Sequence, residues 1–244
     1  MTDTLLKRIE GNEGKEVQLN DLCKHYSFDV MNTLAYGSST QYLEGKSTKK
    51  ATRILNNVIN EIATVGALLQ VPWLVTVIEN LSIFGGSLKE SKAWSAARVE
   101  KRRQMKDPKP DIIGHLLKHT PNDRAGRALL NADARLIVGA GSESTASALV
   151  ILFVLLATNP EYQHSLRQEV SASFEDKSYN SAQTHTILDS IIAEALRLFP
   201  PVLSSSQRVI GEGGLRIGKI YLPEDTIVNL ATYQIQRGKL PPFS

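Results

Sequence analysis

Cysteine, aromatic residues and net charge are all scarce in this 244-residue sequence. A single cysteine, Cys23, excludes a disulfide framework and any zinc site built on several cysteines of one chain. A net charge of +3 is too small to argue for nucleic acid. The basic stretch 98–109 has no aromatic interleaved beyond Trp94, so it reads as a solvated helix face. Long hydrophobic runs are also missing. The longest, 148–157, is too short to span a bilayer and reads as a buried core helix. Residues 1–8 hold no apolar core of the kind a signal peptide needs, so neither a signal peptide nor a transmembrane anchor is expected.

What is present is ordinary for a chain that buries a core: 42% apolar and 22% charged residues. Apolar residues recur at helical spacing over 19–36, where Leu22, Tyr26, Val30 and Leu34 form a stripe that Gly37 ends. Further helices are expected over 51–69, broken at Pro72, and over 88–104 after a loop at Gly85 and Gly86. The interrupted apolar segment 62–78 reads as an amphipathic helix pair, or else as a membrane-surface or ligand-entry segment. Asp107, Pro108, Lys109 and Pro110 make a turn, after which Asp111 can cap a short helix over 112–118. Residues 119–127 are polar and read as an exposed loop. A long helix follows over 131–158, then one from Pro160 to about Phe174 and one over 187–198 that Pro200 and Pro201 end. Beyond Pro201 the pattern changes to short β-rich runs around Gly218 and Pro223, a hairpin and a following strand.

Two strings stand out. Ala140, Gly141, Ser142, Glu143, Ser144 and Thr145 lie inside the long helix. Glycine costs about 1 kcal/mol there, and the hydroxyls compete for backbone carbonyls. Either the helix opens onto a cavity, with Gly141 admitting a flat ligand, or it makes a close crossing through small residues. The second string runs from Glu194 through Arg197 to Pro201. Glu194 and Arg197 are one turn apart and can pair, as can Glu100 and Arg103. The spacing alone means little, but the first pair sits at an apolar helix end before Arg208 and a hairpin.

In this order and spacing the strings resemble the cytochrome P-450 family of haem-thiolate monooxygenases, in the style of a fungal microsomal member. Residues 140–145 match the family's oxygen-binding helix motif, Glu194 and Arg197 its Glu-x-x-Arg helix, and Arg208 an arginine that often pairs with a haem propionate. Residues 111–117 resemble the segment two helices earlier. The resemblance implies a mainly α fold with a small β region: a partial family domain over 1–237, lacking the N-terminal anchor and the C-terminal haem-cysteine loop. The last residues, 238–244, read as an unrelated tail, such as a frame shift or misread intron would leave.

The resemblance further implies haem and an apolar small-molecule substrate, for example in secondary metabolism. It also implies electrons from an NADPH-dependent reductase and, for members of this type, a place at the endoplasmic reticulum membrane. Glu143, Ser144 and Thr145 would serve catalysis; Ala140, Gly141 and Arg208 would contact the cofactor; Glu194 and Arg197 would form a buried structural pair. No metal ligand is expected, because the loop bearing the haem-ligand cysteine is absent and Cys23 lacks its flanking glycines. On that ground the chain is expected to be inactive, with weak haem adsorption only through His115, His119 or His164. The alternative is a haem-free helical binding or interaction module derived from the same fold.

Overall fold

The computed structural model describes residues 1–46, 85–106, 110–174, 186–202 and 207–238. The features expected over 51–69, 62–78, 107–109 and 239–244 lie outside the described residues. The chain divides into two units, Met1–Ser147 and Ala148–Ser244.

The first unit is helical. Helix α1 (Thr2–Glu10) rests on α2 (Leu19–Tyr36) through Leu5, Leu22, Leu43 and Tyr26. Gly37 ends α2 in the left-handed region at φ 67°, a conformation that glycine adopts without steric penalty. Next come α3 (Gly85–Arg103), α4 (Ile112–His119) and the start of α5 (Arg124–Thr158). The core joins all four: Phe28, Ala35 and Tyr36 from α2, Val99 from α3, Ile113 from α4, and Leu130, Ala134 and Val138 from α5. The α5 residues lie four apart, the spacing that places side chains on one helical face.

Buried polar groups order the connections. The Asp29 carboxylate accepts from the Thr40 hydroxyl, from Thr40 N at 3.1 Å and from Leu43 N at 2.8 Å, pinning the loop after α2. Arg98 lies over the Tyr36 and Trp94 rings at 5.2 and 5.6 Å and donates to Ser38 O at 2.7 Å. Arg102 pairs with Asp111 in a site closed to solvent, and the other Asp111 oxygen caps α4 by accepting from Gly114 N at 2.6 Å.

In the second unit, α5 ends and α6 (Pro160–Phe174), α7 (Thr186–Leu198), four short strands and α8 (Thr232–Arg237) follow. The strands are β1 (Gln207–Val209), β2 (Leu215–Ile217), β3 (Ile220–Leu222) and β4 (Ile227–Asn229). They form two antiparallel pairs, β1 with β4 and β2 with β3. Glu169 of α6 caps α7 by accepting from Ile187 N at 2.9 Å and Leu188 N at 3.1 Å.

Three expectations need correction. The loop expected over 119–127 ends early, because Asp123 accepts from Gly126 N at 2.7 Å and starts α5 at Arg124. Gly85 and Gly86 open α3 instead of forming a loop before it. The apolar run 148–157, expected to be buried, is half-buried or exposed, with Val154 50% accessible. Its helix, Arg124–Thr158, is long and apolar enough to cross a membrane by length and composition, with 11% of its most apolar window buried.

Candidate functional site

The hydroxyl-rich turn lies in continuous helix. Ser142 faces inward, 4% exposed, and donates to Val138 O at 2.6 Å. Ser144 donates to Ala140 O and Thr145 to Gly141 O, both at 2.8 Å. Each hydroxyl is thus held by the carbonyl one turn back, and its lone pairs remain free to accept a proton donor from outside the helix. Ala140 and Thr145 are exposed, and Gly141, Glu143 and Ser144 half-buried. Gly141 faces Met31 of α2, whose Cε lies 2.7 Å from where a Cβ would stand. Met31 therefore covers the backbone at Gly141 with the end of its flexible side chain.

Glu194 and Arg197 form a bidentate pair: Arg197 Nε and Nη2 reach the two carboxylate oxygens, both at 2.6 Å. The Arg197 hydrogen bonds hold the Glu194 carboxyl below its ordinary range, and Glu194 raises Arg197 in return. Burial differs from expectation. The side chains are 54% and 43% exposed, against 57% for Glu100 and 33% for Arg103, so depth does not separate the two pairs. Each arginine has a further partner: Arg103 Nη1 donates to Asn122 Oδ1 at 3.1 Å, 19 residues on, whereas that of Arg197 lies 39 residues away. Arg197 Nη1 donates to Gln236 O of α8 at 2.7 Å. Arg237 returns the tie by donating to Leu198 O from Nε and Nη2, with its guanidinium 4.3 Å from the Tyr233 ring. Sequence reasoning missed Arg237; its one signal was an arginine two residues beyond an apolar helical turn. Arg208 lies on β1, exposed, with Nη1 donating to Gln207 O at 2.9 Å, and does not meet the Glu194–Arg197 pair.

Two helical strings, an antiparallel sheet after the second and a helix tied back to it are now in place. The family model of cytochrome P-450 matches residues 1–239. The chain belongs to the cytochrome P-450 family. Among curated proteins it is similar to the cytochrome P-450 monooxygenase FCK2 of Fusarium pseudograminearum, 31% identical over 98% of this chain and 44% of that protein. It is likewise 31% identical to nodW of Hypoxylon pulicicidum, over 96% of this chain and 44% of that one, and to traB of Penicillium crustosum, over 95% and 48%. Both are cytochrome P-450 monooxygenases by name. Its fold is that of the solved cytochrome P450DA heme domain, with TM-score 0.71 at 15% identity, covering 96% of this chain and 51% of that one. The chain thus spans about half the length of the relatives it matches.

Haem is the family's cofactor, and the cytochrome P-450 ligand is a cysteine thiolate. The residues of this chain do not fit that role. Cys23 is 1% exposed within α2, and burial pushes its thiol up, away from the thiolate form. Among the described residues no group of three or more His, Cys, Asp or Glu side chains is arranged to hold a metal ion. His115 and His119 lie exposed on α4, with ring centroids 4.4 Å apart and planes tilted by 33°.

Proposed function

We propose that these residues form part of a haem monooxygenase that oxidises an apolar small molecule, with O2 and electrons from an NADPH-dependent reductase. We further propose that the 244 residues by themselves form no haem-thiolate centre and do not turn over substrate. In this reading 1–237 is the family domain and 238–244 an unrelated tail. Ala140, Gly141 and Arg208 contact the cofactor, Glu143, Ser144 and Thr145 form the proton path, and Glu194 with Arg197 holds α7.

The observation that carries this reading is the outward side of the 140–145 turn. Ser144 and Thr145 place hydroxyl oxygens at a half-open helix face, anchored by the carbonyls of Ala140 and Gly141. Glu143 beside them is a carboxylate able to exchange protons with water. The buried, raised thiol of Cys23 supports the second half of the proposal. Purified chain, reconstituted with haem, reduced and exposed to carbon monoxide, tests it. The expected spectrum is of the histidine type or absent, and is lost when His115, His119 and His164 are replaced by alanine. A red-shifted thiolate-type Soret band that disappears in Cys23→Ser would refute it.

A further inference from the structure

Helix α4 carries two histidines four residues apart, His115 and His119, the spacing that places side chains on one helical face. Both are exposed, and their ring centroids lie 4.4 Å apart. His119 Nδ1 stands 2.9 Å from His115 O. A carbonyl oxygen only accepts, so Nδ1 carries the proton and the neutral ring keeps its lone pair at Nε2. Histidines that ligate metals are fixed in this way, with the second ring nitrogen donating to a backbone carbonyl or carboxylate. His119 also lies in the last turn of α4, where the carbonyl end of the helix dipole favours a cation.

The surroundings select among cations. The carboxylates flanking α4 in sequence are both engaged, Asp111 with Arg102 and Gly114 N, and Asp123 with Gly126 N. Positive charge stands close by, since His115 lines a cavity of about 460 Å³ together with Arg103 and Lys118. Mg2+ and Ca2+ are held by oxygen ligands and charge, and neither is on offer here. Cu2+ and Zn2+ bind imidazole nitrogen by coordinate bonds strong enough to tolerate cationic neighbours. Among the described residues no third histidine, cysteine or carboxylate joins the pair, so water fills the remaining positions. His164 differs, because its Nε2 is engaged with the Gln168 side chain at 3.0 Å.

We propose that His115 and His119 form a chelating site for a first-row divalent cation, Cu2+ or Zn2+, which clips successive turns of α4 together. The site is independent of the haem reading, and its test uses the 244-residue chain without haem. Cu2+ alone is titrated by calorimetry and followed by electron paramagnetic resonance, and Zn2+ alone by its effect on urea unfolding. The copper spectrum should show coupling to a pair of imidazole nitrogens. His115→Ala and His119→Ala should each weaken binding by about tenfold or more, because even the outer partners of metal ligands are worth that much. His164→Ala should leave it unchanged. Zn2+ should raise the urea midpoint of the parent chain and of neither His115→Ala nor His119→Ala. Both side chains are exposed, so far-ultraviolet circular dichroism of these variants should match the parent. In the unaltered chain, Cu2+ should broaden the ring proton resonances of His115 and His119 before those of His25 and His164, a readout that needs no variant. Binding unchanged in both variants, a copper spectrum with a single nitrogen, equal broadening at every histidine, or displacement of the cation by excess Mg2+ or Ca2+ would each overturn the proposal.

Discussion

Asp29, His25 and Ser144 are three polar residues whose surroundings dictate different outcomes on substitution. Asp29 is 1% exposed and satisfies two backbone N–H groups and a hydroxyl of the following loop. Asp29→Ala leaves those donors buried without a partner, so a loss of about 3 kcal/mol is expected in urea unfolding. His25 stacks on Tyr42 with ring centroids 5.6 Å apart. Burial pulls it below the ordinary imidazole range, Arg8 adds to this, and Asp21 and Asp29 oppose it. The unfolded chain then binds the proton first. Stability is therefore expected to fall as pH drops from about 7 to 5, and this slope should flatten in His25→Phe. Ser144 is held only by its own helix, so Ser144→Ala should change stability by no more than about 0.5 kcal/mol. A larger loss in urea unfolding would show that the hydroxyl has a partner outside its helix.

At the scale of elements, what could be read from sequence depended on whether the signal was local. The α4 cap at Asp111, the left-handed end of α2 at Gly37 and the stop before Pro200 are written within a few residues of where they act. The start of α5 was equally local but hidden, because Pro121, Asn122 and Gly126 look like loop residues until the Asp123 cap is seen. Contacts across the sequence were not legible. The tie of Arg197 to Gln236 and of Arg237 to Leu198 spans 39 residues in each case. Glu194 and Arg197 matched a family motif by spacing, yet nothing local could say that the pair is exposed here. Arg237→Ala removes the contacts with the Phe199 and Tyr233 rings and the return tie, and should cost about 0.5–1 kcal/mol at such an exposed site. Faster amide exchange confined to α8 and the end of α7 is the expected readout.

For the whole molecule, buried apolar side chains concentrate in Met1–Ser147, and this unevenness should govern local stability. Regions with few buried contacts open at low free energy. Hydrogen exchange should therefore show strong protection around Phe28, Tyr36, Ile113 and Leu130, and little in β1–β4. Uniform protection across both units would contradict this. The same unevenness explains why composition was a poor guide to burial. An apolar fraction of 42% predicts a core, but no residue of the run at 148–157 is fully buried.

The junction of Arg102 and Asp111 has a consequence for how this sequence can drift. A β-carbon at Gly114 would collide with Nη2 of Arg102, and one at Gly37 would stand 2.9 Å from Oδ2 of Asp111. Neither glycine can acquire a side chain unless the ion pair moves, and moving the pair uncaps α4 and unseats the end of α3. These four positions are therefore expected to be inherited as a block: in a library of random variants, survivors altered at 37 or 114 should carry a compensating change at 102 or 111.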